Sequence, residues 1–202
     1  MTSSAMRAPR TLRWLGVLLV VLLACAAIAF FARTAGVRNG FFALELHFVL
    51  MAAADAINRL LRPRLDSARF VVSAAEIRMY RRLGVRAFMR ALRAIGWTAL
   101  VRNRKVFDGT RHTLAAYERA TRESENAHLW LFAVSLLPIG WMLVHGWWDA
   151  VLWTGAMSIL FHAYPVLLQR VQRARLAALL ARARRTGALG PAESARPRAS
   201  RG

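Results

Sequence analysis

Four stretches of this 202-residue chain are apolar and long enough to read as membrane-spanning helices. Trp14 to Ala32 holds 19 residues without a charge, and at ~1.5 Å per residue that length approaches the ~30 Å hydrocarbon thickness of a bilayer. A second stretch, Gly40 to about Ile57, is interrupted by Glu45, His47 and Asp55. The third runs from Leu129 to Val144 and the fourth from Trp147 to Leu168. Pro138 and Pro165 lie inside them, which membrane helices tolerate when neighbours satisfy the freed carbonyls. Between the second and third stretches, Ile77, Tyr80, Leu83, Phe88, Leu92 and Ile95 recur at helical spacing. Arg78, Arg81, Arg82, Arg86, Arg90 and Arg93 face elsewhere. That pattern predicts an amphipathic helical segment, divided in two at Gly84. It either lies in the plane of an anionic leaflet or packs on the spans. Trp97 and Phe107 flank a loop, Arg102-Asn103-Arg104-Lys105, and Asp108-Gly109 is a turn signal. A further helix is predicted to begin near Thr110–Thr113 and to run straight into the third span. The expected fold is an all-α membrane protein of about four transmembrane helices, with an amphipathic helical segment between the second and third.

Composition sharpens this picture. The chain is 57% hydrophobic yet carries 30 basic against 10 acidic side chains, a formal charge of +20. A soluble domain averages roughly 45–50% apolar residues, so hydrophobicity and charge must be segregated along the chain, and a soluble single domain is excluded. Lys105 is the one lysine, which marks the arginine excess as compositional. Basic flanks of membrane spans account for it without a nucleic-acid partner. A single cysteine, Cys25, excludes an internal disulfide framework and a cysteine-based zinc site.

Arginines also set the expected topology. They crowd the segment before Trp14, the segment 58–128 (16 basic, six acidic) and the tail from Arg170 (nine basic, one acidic); the turn His145–Gly146 has none. Because basic residues collect on the cytoplasmic side, both termini are expected to be cytoplasmic in a multi-pass protein of the cell membrane. The expected segments are a basic N-terminus (1–13), a transmembrane hairpin (14–57), a basic cytoplasmic or interfacial segment (58–128), a second hairpin (129–168) and a basic tail (169–202), disordered after about residue 186. The first span resembles a signal peptide, but 19 apolar residues exceed an ordinary secretory core. Phe30-Phe31-Ala32 is a poor cleavage site. Leu22-Leu23-Ala24-Cys25 brushes against a lipoprotein box, yet the apolar run continues beyond it. An uncleaved anchor is expected.

Two polar stripes stand out near the expected cytoplasmic boundary. Thr121, Glu125 and His128 share one helical face at the entrance to the third span. At the exit of the fourth, His162, Gln169 and Arg173 align, with Arg170 beside them, and the two stripes are expected to converge there. Two other patterns are set aside. His145-Gly146-Trp147-Trp148-Asp149 has three residues between His and Asp where the glycerolipid acyltransferase motif has four, and reads as a tryptophan-rich interfacial turn. Glu125-x-x-His128 lacks the second such pair and the extra glutamates of a carboxylate metal bundle, so no metal is expected.

The motifs Tyr80-Arg81-Arg82-Leu83-Gly84-Val85-Arg86, Thr121-x-x-x-Glu125-x-x-His128 and Gln169-Arg170-x-x-Arg173-x-Arg175-Leu176 stand in this order from Met79 to Arg185. With the apolar hairpin between the last two, that stretch resembles the glycosyl-4,4'-diaponeurosporenoate acyltransferase family of small membrane proteins. Phe88, Ala120-Thr121, His162 and Val171-Gln172 stand where the family carries other polar or aromatic residues. The resemblance implies transfer of a fatty acyl group onto a sugar hydroxyl of a carotenoid glycoside or related glycolipid. For such a reaction His128 is the expected general base, since free imidazole titrates near pH ~6.5, and Glu125 would orient it. Arg170 and Arg173 would bind carrier phosphates or the developing oxyanion. Thr121, Gln169 and His162 would contact the substrate. No bound cofactor is implied, only an acyl carrier such as acyl-CoA as co-substrate. The expected partners are a lipidic acceptor and the anionic inner leaflet. A non-catalytic scaffold whose basic face binds anionic lipids is the competing reading.

Overall fold

The computed structural model describes residues 9–61, 65, 68–96 and 113–185. Among these the chain is all helical, with no strand, and four helices are long and apolar enough to cross a membrane. The basic N-terminus through Ala8, the segment from Trp97 to His112 and the tail from Thr186 lie outside the described residues. The readings made there, including Arg102–Lys105 and Asp108-Gly109, go with them. The chain divides into two compact units. One comprises residues Met1–Asp66 and Glu123–Val166, the other Ser67–Arg122 and Leu167–Gly202.

The first unit holds the apolar hairpins. Helix α1 (Arg10–Ala35) has a stretch of mean hydropathy 2.9 and no buried residue. It continues unbroken past Cys25, which is exposed. Gly36, at φ 74°, ends it in a conformation that a side chain would strain. Asn39 then starts α2 (Gly40–Leu61): its carboxamide oxygen accepts from Phe42 N at 2.9 Å, while its amide donates to the carbonyls of Ala35 and Gly36. The second apolar run was expected to stop near Ile57. The helix continues through Leu61, and Asp55 and Arg59, one turn apart, pair with each other on its exposed face.

Helix α5 (Leu114–Val144) is continuous, with Pro138 inside it, and Gly146 (φ 69°) turns the chain into α6 (Trp148–Ser158). Arg38 Nε reaches both Asp149 carboxylate oxygens at 3.0 Å, so the α1–α2 turn and the start of α6 lie at one end of this unit. Phe42, Leu46, Met142 and Ala150 form its apolar centre. Between helices, small polar groups supply cohesion that lipid-like side chains cannot: Ser135 and Ser158 hydrogen-bond at 2.6 Å, and a Cβ on Gly40 would meet Trp153 at 3.2 Å.

After α6 the chain makes a π-helical turn (Ile159–Ala163) before resuming as α7 (Tyr164–Arg185). The fourth apolar stretch is therefore not one regular helix. Pro165 has no N–H to return to the preceding turn, and the wider π turn accommodates that loss. Such turns recur at functional positions.

In the second unit, Ser73 begins α3 (Ala74–Arg82) with a reciprocal capping box. Glu76 N donates to Ser73 Oγ at 3.2 Å and Ser73 N to Glu76 Oε2 at 2.8 Å. Gly84, at φ 75°, separates α3 from α4 (Val85–Ala94). Tyr80 and Val85 pack against Leu168 and Val171 of α7, with Phe88, Met89 and Leu92 beside them. The apolar stripe is thus largely covered by protein. Leu83 and Ile95 remain exposed, as do all six arginines of the polar face.

Candidate active site

Within the first unit, three histidines from three separate elements stack on one another. His47, on α2, is fully buried and its Nδ1 lies 2.7 Å from the Ala43 carbonyl. Its ring stacks on His162, in the π turn, with centroids 5.0 Å apart and planes inclined by 30°. His162 in turn lies 5.8 Å from His128 of α5, at 39°.

Four ring nitrogens in this stack are buried without a hydrogen-bond partner among the described residues: His47 Nε2, His128 Nδ1 and both nitrogens of His162. A buried polar group left unpaired costs about 1–3 kcal/mol, and ionisable residues inside a span mark functional positions. Glu125, one turn before His128 on α5, is completely buried. The rings lie face over face, and among the described residues no group of three His, Cys, Asp or Glu is arranged to hold a metal ion. The stack gathers buried imidazole nitrogens from three elements in one place.

The second unit gathers the cations. Arg170 Nη2 reaches Glu76 Oε1 at 2.6 Å, and the same guanidinium donates to the carbonyls of Arg69 (3.0 Å) and Val71 (3.5 Å). Tyr80 Oη donates to Glu76 Oε1 at 3.0 Å. Glu76 is therefore held at a pKa of about 2, chiefly by the Ser73 backbone amide and then by Arg170 and Tyr80. The Tyr80 phenol is pushed up by burial and by that hydrogen bond. Arg173, 3% exposed, donates to the Phe70 carbonyl at 3.1 Å and lies 5.1 Å above the Phe70 ring. Thr121 Oγ1 donates to the Glu118 carbonyl at 2.6 Å, Arg122 pairs with Glu118 at 2.7 Å, and Tyr117 bonds Gln172 at 3.1 Å.

The residues singled out in the sequence thus divide. Glu125, His128 and His162 belong to the first unit, where the structure brings His128 and His162 together. Thr121, Gln169, Arg170 and Arg173 belong to the second. There Arg170 and Arg173 tie the 68–76 segment to α7, a task topology alone did not suggest. Sequence reasoning gave little weight to His47 and passed over Glu76. A lone histidine in an apolar stretch reads as ordinary interior. For Glu76 the signal existed: Ser73-x-x-Glu76 is a capping-box pattern.

A family model described as glycosyl-4,4'-diaponeurosporenoate acyltransferase matches residues 62–182, more than half of the chain. No curated protein and no solved structure matches. The matched stretch contains Glu76, Tyr80, Glu125, His128, His162, Arg170 and Arg173; His47 lies before it.

Proposed function

Because the chain belongs to the glycosyl-4,4'-diaponeurosporenoate acyltransferase family, we propose that it moves a fatty acyl group onto a sugar hydroxyl of a glycosylated carotenoid or related glycolipid, at the cytoplasmic face of the membrane. The observation that carries this reading is the buried stack His47–His162–His128 with unpartnered ring nitrogens. Acyl transfer to an alcohol needs a base in surroundings that exclude water as a competing acceptor. In the proposed step, Nδ1 of His128 takes the hydroxyl proton as the sugar oxygen attacks the acyl carbonyl of a thioester donor. Collapse of the tetrahedral intermediate breaks the carbon–sulfur bond, and the imidazolium returns the proton to the departing thiolate. His162 and His47, stacked in sequence beside His128, shield that transient charge from water. Glu125 supplies a compensating negative charge one helical turn away. Thr121 and Gln169 remain candidates to orient the acceptor.

Membranes from cells expressing the chain, given a labelled long-chain acyl thioester and a glycosylated carotenoid, should yield labelled ester. Membranes carrying Glu125→Gln should yield little. A scaffold that only binds anionic lipid would transfer no label in either case, and that result would reject the enzymatic reading.

A further inference from the structure

The second unit contains a groove of about 170 Å³ between α3, α4 and α7. Its floor is apolar: Ile77 from α3, Val85 and Met89 from α4, and Val171 with Ala174 and Ala178 from α7. Three arginines, Arg81, Arg86 and Arg175, stand at its edges. The sequence explains the shape. Residues 171, 174, 175 and 178 fall on one face of a helix, and two of them are alanines that stop at Cβ, leaving a trough where larger side chains would close it. Val85 follows the left-handed Gly84, so its buried side chain forms one end while Arg81 and Arg86 flank the turn.

These arginines differ from Arg170 and Arg173. Each is exposed, and none of the three guanidinium groups makes a hydrogen bond or ion pair with a described residue, whereas Arg170 and Arg173 are engaged with Glu76 and with backbone carbonyls. No acidic side chain lines the groove. An apolar trough rimmed by three uncommitted guanidinium groups complements a ligand that is anionic at one end and a thin chain at the other. A space of about 170 Å³ admits part of one linear chain rather than the paired tails of a phospholipid.

We propose that this groove is the binding site for the acyl donor, and that the donor is a coenzyme A thioester. Arg81, Arg86 and Arg175 take the phosphates of the nucleotide, and the apolar floor takes the chain that follows. This rests on the reading of the protein as an acyltransferase, because it answers where an activated acyl group would be held. It transfers the anion-binding role expected of Arg170 and Arg173 to arginines that topology alone had counted as surface charge.

The test is equilibrium binding of palmitoyl-coenzyme A to the full chain in phosphatidylcholine nanodiscs, without acceptor, so that no turnover is needed. Palmitate is the control for the tail alone. The wild-type chain should bind the thioester, and Arg81→Gln/Arg86→Gln/Arg175→Gln should weaken binding tenfold or more, as expected from roughly a two- to threefold step for each of three exposed phosphate contacts. Palmitate should bind equally weakly to both chains. Ala174→Leu, which fills the trough and leaves every charge in place, should also weaken binding; it keeps the test decisive if the triple variant fails to fold. Unchanged affinity in a folded variant would overturn the proposal, as would a wild-type chain that does not bind. So would a loss confined to phosphatidylglycerol vesicles, which would assign the arginines to the leaflet. Binding that depends on the groove in a chain that transfers no acyl group would keep this site and reject the enzymatic reading. Transfer with a groove-independent donor affinity would do the reverse.

Discussion

The two units hold their buried polar side chains differently: in the second, Nε of Arg170 and of Arg173 is not itself bonded, but each guanidinium is engaged through its other nitrogens. In the second, Arg170, Arg173 and Glu76 are paired, with Arg170 to Glu76 at 2.6 Å and Arg173 to the Phe70 carbonyl at 3.1 Å. In the first, His47, His128 and His162 stack on one another while four of their ring nitrogens find no partner among the described residues. Paired charge holds a fold together, since removing one member strands the other. Unpaired basic nitrogens add no stability, and clusters of such groups are candidates for binding or proton transfer with a substrate. Charge density alone would have pointed to the arginines; the state of the partners points to the histidines.

That contrast sets an order of expected effects. The largest belongs to His128. Replacement by Gln keeps size and polarity but removes the base, and acyl transfer should fall by about 10²–10⁴, with membrane insertion and helicity by circular dichroism unchanged. His47→Phe keeps the stacking area but removes the imidazole nitrogens beside His162. Roughly a tenfold fall in kcat with KM unchanged is expected, together with an altered pH–rate profile, which a merely structural role would not produce. In the other unit Arg170→Met should behave differently. Leaving Glu76 and two carbonyls without their guanidinium should cost about 1–2 kcal/mol locally, allowing for partial exposure, read as faster proteolysis of the 68–96 segment. The smallest effect is on pH. Glu76 is held at about 2 in the folded chain, below an ordinary carboxylate. Its contribution is thus fully present above pH ~4.5 and is lost as pH falls toward 2. Protection of α3 against hydrogen exchange should fade over that window in the wild type and not in Glu76→Gln.

Much of this architecture was legible in the chain. Largely apolar runs of about 16 to 22 residues are long enough to span, and the four long apolar helices follow from them. Gly84 divided the amphipathic segment because a left-handed residue was needed there. The arginine spacing placed the polar face outward. The site was less legible. Thr121-x-x-x-Glu125-x-x-His128 could be read because helical spacing puts all three on one face of a single helix. The stack could not: His47 lies more than a hundred residues from His162, and the π turn that carries His162 is a response of the whole helix to Pro165. Nor could spacing tell which arginines are occupied, because Arg170 and Arg175 look alike until Glu76 is seen against the first of them.

The most direct test of the contrast compares His128→Gln and Arg170→Met side by side in one membrane preparation, scoring each for labelled acyl transfer per folded chain and for resistance to proteolysis. The account predicts that His128→Gln loses transfer and keeps its resistance, whereas Arg170→Met loses resistance and, in the fraction that stays folded, keeps transfer. The opposite pattern, with the histidine variant fragile but active and the arginine variant intact but silent, would contradict it.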